Sequence, residues 1–310
     1  MKSYQELSGE FCEIDQETIS FVIESQGIFI EKISHVSREK IAHDLLNPIK
    51  AINQGEILEK YCDLNGKKLL EIGSGLGVNH IVWTKKYGID GYGIEPSEPG
   101  FESSHDISKR LIERNQLDPS KIIDSCGENL PFLDDTFDIV YSTNVLEHTT
   151  EPKMVLREAL RVLKPNGILQ FVYPNYHSYY DGHYSVFHPP IFGKAFFPWY
   201  VKFVFNRDPE FARTLRTELN IRWTNRVLSE LMIDYNFNVL SLGEDVFLER
   251  MSSLKFEAWA GLYKVARILQ LLKTLGINTL FAKAIMLMNG ITPIILTVEK
   301  LPSNYPIKPV

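Results

Sequence analysis

Glu71-Ile72-Gly73-Ser74-Gly75-Leu76-Gly77-Val78-Asn79 places a carboxylate and three glycines directly behind the apolar pair Leu69-Leu70. Glycine accepts positive φ and lets a ligand come close to the backbone. A helix that starts behind such a turn offers free N–H groups and the positive end of its dipole. The chemistry that suits this combination is binding of a nucleotide-type ligand at the carboxyl end of a strand. The spacing is G-x-G-x-G. The dinucleotide fingerprint requires G-x-G-x-x-G, and Val78 stands where its third glycine would fall. About twenty residues on, Glu95 closes the run Gly91-Tyr92-Gly93-Ile94. An acidic side chain there can accept hydrogen bonds from both hydroxyls of a ribose.

The elements that hold these residues can be placed in order. Lys68 to Ile72 reads as a buried strand, Asn79 to Tyr87 as a helix ended by Gly88, and Gly91 to Glu95 as a second strand. Ile107 to Asn115 is helical and Lys121 to Asp124 is a short strand. Asp134 to Ser142 leads into a fourth strand, Pro152 to Leu163 is a helix, and Lys164-Pro165-Asn166-Gly167 turns into a fifth strand ending at Tyr173. Alternating strands and helices of these lengths form a parallel sheet. Upstream, Ile19 to Ile33 fits strand or helix, and Arg38 to Cys62 has helical spacing broken at Pro48. Downstream, Trp223 to Met232 is helical, Phe237 to Leu242 is strand six, and Ile291 to Glu299 is a last strand. We therefore expect an N-terminal helical cap over residues 1–65. A sheet domain then spans 66–301, with insertions at 176–222 and 246–290.

With the strand placements added, E-x-G-x-G-x-G over Glu71 to Gly77 resembles motif I of the class I S-adenosylmethionine (SAM)-dependent methyltransferases, of the type 11 kind. Ser142-Thr143-Asn144-Val145-Leu146-Glu147-His148 is similar to the family's strand-four end, where a Leu-Glu-His run opens the next helix. The resemblance implies a Rossmann-like α/β fold: a seven-stranded, mostly parallel sheet with helices on both faces, closed by an antiparallel last strand. It also implies roles. Gly73, Gly75 and Gly77 let the backbone approach the methionine and ribose parts of SAM, and Glu71 meets the methionine ammonium. Glu95 holds the ribose. Cys126, Gly127 and Glu128 surround the adenine, and Asn144 lines the methionyl side. The family usually carries aspartate where Cys126 stands, which leaves backbone groups of Gly127 and Glu128 to hold the base.

Methyl transfer is an in-line displacement, for which the protein supplies alignment and exclusion of water. An oxygen or nitrogen acceptor also loses a proton, and histidine is the natural base near neutral pH. His148, just past strand four, and His183, in Asp181-Gly182-His183-Tyr184 after strand five, are the candidates. His148 reads equally as a helix-opening residue bonded to backbone. Asp181 either orients the His183 imidazole or caps the Gly182 turn. No carboxylate–histidine spacing stands out as a ligand set, so no metal is expected. The acceptor class expected is a small molecule, sugar or lipid-linked metabolite of a biosynthetic pathway, methylated on oxygen, with nitrogen or carbon as the alternatives. The rivals are a nicotinamide-dependent oxidoreductase and a non-catalytic SAM-binding protein.

Composition narrows the partners. The 310 residues are 44% hydrophobic and 23% charged, with a net charge of −6. That is an ordinary globular balance, and it lacks the clustered Lys and Arg that a nucleic-acid partner requires. Cys12, Cys62 and Cys126 are odd in number and far apart, which suits a reducing, cytoplasmic setting. No apolar leader follows Met1-Lys2-Ser3. Leu254 to Leu275 repeats apolar residues at helical spacing, with Lys255, Lys264 and Arg267 among Phe256, Trp259 and Leu262. Such a stretch is either a lid over the sheet edge or a peripheral membrane contact. Leu280 to Leu296 is interrupted by Lys283 and Pro293 and falls short of a spanning helix.

Overall fold

The strand Lys68–Ile72 (β1) is buried along almost its whole length, as a strand covered on both faces must be. Its side chains divide by the two-residue period of a strand. Leu69 joins one hydrophobic cluster, and Leu70 and Ile72 join the other, on the opposite face. The computed structural model describes residues 10–97, 102–178, 180–188, 196–253 and 270–302.

In chain order the helices are α1 (Gln16–Val22), α2 (Ile28–Ser34), α3 (Arg38–Leu45) and α4 (Pro48–Leu58) ahead of β1. Then come α5 (Val78–Tyr87), β2 (Asp90–Ile94), α6 (Glu102–Arg114), β3 (Ile122–Ile123), β4 (Phe137–Thr143), α7 (Pro152–Val162) and β5 (Leu163–Tyr173). A small hairpin, β6 (Tyr180–Asp181) and β7 (Val186–Phe187), precedes α8 (Phe196–Phe205), α9 (Glu210–Thr214) and α10 (Ile221–Leu231). The chain continues through β8 (Phe237–Ser241), α11 (Glu244–Ser253), α12 (Asn278–Leu287) and β9 (Ile294–Lys300).

The seven-stranded sheet has the order β3-β2-β1-β4-β5-β9-β8. The pairs β1–β2, β1–β4, β2–β3 and β4–β5 are parallel, and β9 runs antiparallel to both β5 and β8. This is the Rossmann-like arrangement that the resemblance implies. Its strand order reverses between β1 and β4, and the crevice at their carboxyl ends is where such sheets bind ligands. Gln170 and Thr297, paired across β5 and β9, share a buried side-chain hydrogen bond of 3.1 Å that pins the register of the late strand.

Helices cover both faces. Val155, Leu156, Ala159 and Leu160 of α7 pack on one face with Val227 and Leu228 of α10. Ile81, Val82 and Trp83 of α5 pack on the other, with Ala51 and Leu58 of α4 and Leu111 and Ile112 of α6. Trp83 ties the N-terminal helices to the sheet. Its indole N–H donates to the Ala51 carbonyl at 2.7 Å, and its ring meets Tyr141 edge-on at 4.9 Å. The ambiguous run Ile19 to Ile33 is helical, with a π turn at Ile23–Gly27, and Pro48 starts α4 at its first turn.

Two local expectations change. Leu146-Glu147-His148 does not open the following helix; it is a separate 3-10 turn. The helix α7 begins at Pro152 as expected, where proline suits the first position and the Glu128 carboxylate accepts from the N–H groups of Thr150 and Glu151. The turn expected at 164–167 lies inside β5, as an irregularity with Asn166 at φ 62°, and pairing with β4 resumes at Ile168. Most of the helical run expected from Leu254 to Leu275, including Phe256, Trp259 and Leu262, falls outside the described residues. Among the described residues no helix is long and apolar enough to cross a membrane.

Candidate functional site

The chain leaves β1 through three glycines in the left-handed region: Gly73 at φ 72°, Gly75 at φ 52° and Gly77 at φ 77°. The N–H groups of Gly73 and Ser74 both donate to the Ile94 carbonyl, at 2.9 and 3.0 Å, which fixes the turn against the end of β2. At Gly73 an added Cβ would run into Val145. At Gly75 it would meet nothing, so that backbone faces open space. The Gly75 N–H donates to Glu95 Oε2 at 2.8 Å and aims that carboxylate across the strand ends.

Both acids are buried, with 2% of Glu71 and 6% of Glu95 exposed. Burial pushes Glu71 up to about 8; the Asn79 amide at 2.7 Å opposes the rise and the Glu95 charge adds to it. Glu71 Oε2 has no hydrogen-bond partner. Burial raises Glu95 to about 7, against the pull of the Gly75 N–H. An orphaned carboxylate oxygen behind a glycine turn, with a second acid beside it, fits a ligand carrying an ammonium group and a ribose. These residues therefore suit SAM, the cofactor implied by the sequence. Glu71 would face its ammonium, Glu95 its ribose hydroxyls, and the Gly73–Gly75 backbone its linking chain.

The cavity over these strand ends has a volume of about 1790 Å³, room for a cofactor and a second molecule. Gly73, Gly75, Glu95, Cys126, Gly127 and Glu128 line one part of it, and Asn144, His148 and His183 line the rest. Asn144 adopts φ 54°. Two predicted residues stand apart from the wall. Glu71 lies behind it, and Gly77 faces α6, where an added Cβ would sit 3.2 Å from Ile112 and 3.3 Å from Ser108. The Glu128 carboxylate is engaged with the start of α7, which leaves its backbone for a ligand. Cys126 is exposed with a free thiol.

The two histidines, far apart in sequence, are neighbours. Their ring centroids are 5.2 Å apart at 89°, and the Phe211 ring lies 5.7 Å from one and 5.5 Å from the other. His183 stands in the β6–β7 hairpin loop, with Nδ1 3.5 Å from Asp181 Oδ2 and Nε2 3.7 Å from Glu147 Oε1. His148 Nε2 is 4.0 Å from the same Glu147 oxygen. Asp181 both orients and caps: its Oδ1 accepts from the Tyr184 N–H at 2.7 Å while Oδ2 faces His183. Burial lowers His183, but the pairing with Asp181 and the Glu147 charge outweigh it and leave it raised. Burial and the charge of His183 lower His148 to about 3, with Asp181 opposing. Burial pushes Glu147 up to about 7, against the charge of His183 and with that of Asp181.

Sequence reasoning missed Glu147. It was read as part of a helix start, although its carboxylate is fully buried with neither oxygen hydrogen-bonded. A carboxylate next to one histidine and another two residues before the second was the available signal. Phe29 and Lys40 of the N-terminal segment and Arg250 of α11 also line the cavity.

Residues 70–171 match the family model described as a methyltransferase domain. An uncharacterized methyltransferase of Mycobacterium tuberculosis is 31% identical over 118 residues, covering 38% of this chain and 43% of that protein. A thiol S-methyltransferase of Rattus norvegicus is 35% identical over 121 residues, covering 37% of this chain and 48% of the relative. The chain thus spans less than half the length of these curated relatives. A solved phosphoethanolamine N-methyltransferase of Haemonchus contortus, in complex with S-adenosylhomocysteine, superposes with a TM-score of 0.45 and 14% identity, covering 81% of this chain and 53% of that one.

Proposed function

Because residues 70–171 match a methyltransferase domain, we propose that the chain moves the methyl group of SAM onto an oxygen of a small molecule, sugar or lipid-linked acceptor in a biosynthetic pathway. The observation that carries the reading is one cavity with two unlike walls. The glycine turn and Glu95 form one, and His148 and His183 form the other. SAM supplies a methyl group on a sulfonium, already set for displacement. The chain's own residues align the acceptor with it, exclude water and handle the acceptor proton. A hydroxyl needs help in losing that proton, and the His183 and His148 cluster stands where the help is needed.

In this reading the 1–65 cap and the insertions at 176–222 and 246–290 shape the acceptor side, supported by Phe29 and Phe211 on the cavity wall. A thiol acceptor, as in the name of the rat relative, is the rival. It loses its proton far more readily and would leave the histidine cluster without a task. A lipid-linked acceptor met at a membrane surface is favoured by the exposed Trp199, Phe203, Leu280 and Leu287. The reducing, cytoplasmic setting belongs to the same proposal.

Two measurements test it. Thermal-shift titration separates the cofactors: ligand at 100 times its Kd should add about 2.7 kcal/mol of stability. SAM and S-adenosylhomocysteine should shift the transition and NAD(H) should not; the reverse would overturn the reading. His183→Ala should lower kcat on an oxygen acceptor by about two to four orders of magnitude with SAM affinity kept. Unchanged turnover would remove His183 from the reaction.

A further inference from the structure

Glu147, His148 and His183 form a three-ligand set that neither the family match nor the cofactor contacts explain. Their ligating atoms all lie within 4.8 Å of one another. An ion bonded to each at about 2.1 Å needs them no more than about 4.2 Å apart. Two of the separations, 3.7 Å from His183 Nε2 and 4.0 Å from His148 Nε2 to Glu147 Oε1, already meet that limit. The third needs side-chain movement of less than about an ångström.

Three further features point to a cation. Glu147 is completely buried and neither of its oxygens has a hydrogen-bond partner, an arrangement that is costly unless a positive charge completes it. Asp181 faces the other nitrogen of His183 at 3.5 Å, and the Tyr184 N–H at 2.7 Å holds that acid in place. A carboxylate behind a ligating imidazole is the usual support of a metal-bound histidine. Lastly, the two ligand segments are fastened together: the Arg216 N–H donates to the Glu147 carbonyl at 2.9 Å, and Tyr184, next to His183, bonds Asp208 and Ala212 around α9.

We propose that Glu147, His148 and His183 bind one divalent transition-metal ion, with Asp181 orienting His183 from behind. Two imidazoles and one carboxylate suit zinc, iron(II), cobalt(II) or manganese(II). Glu147 lies behind the cavity wall, while both histidines line the cavity with 23% and 18% of their side chains exposed. The open coordination positions therefore face the space where an acceptor would lie.

The role of the ion, though not its binding, rests on the function proposed above. An acceptor hydroxyl at an open position gives its proton to water. Its oxygen lone pair then forms the new C–O bond as the C–S bond of SAM breaks, and that electron pair stays on sulfur as the thioether. The ion acts as a Lewis acid throughout and changes no oxidation state. In this arrangement the help that the histidine cluster gives with the acceptor proton passes through the ion it holds, which acidifies the hydroxyl, rather than through an imidazole acting as base.

The test uses the full chain, stripped with a chelator and titrated with Zn²⁺ by calorimetry, with S-adenosylhomocysteine titrated in parallel. The expected result is one Zn²⁺ per chain. Binding should be at least about 100-fold weaker in Glu147→Gln and His183→Ala, and about 10- to 100-fold weaker in Asp181→Asn, with the S-adenosylhomocysteine affinity of each kept. Visible absorption of Co²⁺ added to the wild-type chain reports nitrogen and oxygen ligation and needs no variant. Absence of stoichiometric Zn²⁺ and Co²⁺ binding, in a chain that still binds S-adenosylhomocysteine, overturns the site. So does Zn²⁺ affinity left unchanged by Glu147→Gln. Zn²⁺ binding without any S-adenosylhomocysteine binding would uphold the site and sink the proposed function.

Discussion

Replacing Glu95 by glutamine should weaken SAM binding by an amount that depends on pH, and the structure sets the dependence. Glu95 is buried, accepts the Gly75 N–H through one oxygen, and has its pKa raised to about 7 by burial. In the bound state it must be ionised to accept the ribose hydroxyls. Above its pKa the ionised form is present before binding. The variant then loses only charge-assisted hydrogen bonds, about 1.5–3 kcal/mol, or roughly 10- to 150-fold in Kd. One unit below its pKa the wild type must first ionise the acid, which costs about 1.4 kcal/mol and cancels roughly tenfold of the advantage. The ratio of variant to wild-type Kd should therefore shrink about tenfold between about pH 8.5 and about pH 6. The α-amino group of SAM titrates in this window with a pKa of about 7.7–8.0, and Glu71 titrates there too. The amino group titrates alike in the two proteins and divides out of the ratio, whereas the Glu71 contribution divides out only in part, because the Glu95 charge adds to its rise. Isothermal titration calorimetry across that range measures it. A ratio flat with pH, or a variant that binds as well as wild type at high pH, would refute the ribose assignment and the burial argument together.

Other consequences are checked by simpler means. Glu71 has its folded pKa raised from 4.5 to about 8, so its contribution to the unliganded fold is full below about 4.5 and is lost as pH rises through about 8. Glu71→Gln should remove that decline, worth on the order of a few kcal/mol, and should weaken SAM binding. Denaturant melts at several pH values read the first effect, and an unchanged pH profile would show that Glu71 does not titrate as described. Gly73→Ala combines a positive φ with a collision against Val145 and should cost about 1–3 kcal/mol, seen as a Tm several degrees lower. An unaltered Tm would mean that the turn relaxes freely.

The donor half of the site was legible because it is local. A strand, three glycines and an acid at the next strand end all lie between residues 68 and 95, and each has a backbone reason to be what it is. The same holds for Pro48 and Gly88, whose conformational limits mark a helix start and a helix end. Glu147 was not legible, because its character comes from residues 34 and 36 positions away that fold onto it through the β6–β7 hairpin. Sequence spacing shows a ligand set when its members share one helix or loop, and these sit on two. Leu146-Glu147-His148 was placed in a helix start for a related reason. The helix itself starts at Pro152 as expected, and the Glu128 carboxylate, a partner from another loop, holds the N–H groups just ahead of it. The parallel sheet followed from the alternation of elements, whereas the antiparallel β9 was expected only through resemblance.

The position of β9 also bears on how the chain is made. It lies in the sheet between β5 and β8, yet about 120 residues separate the end of β5 from its start. At about 5–20 residues per second a ribosome needs on the order of ten seconds to cover that interval. Throughout it, β5 presents an unpaired backbone edge from Ile168 to Tyr173, the edge that β9 closes in the finished fold. An unpaired strand edge is a template for wrong pairing. The nascent chain therefore has its longest window of vulnerability after its cofactor half is complete, and aggregation during expression should concentrate in chains truncated between residues 173 and 294.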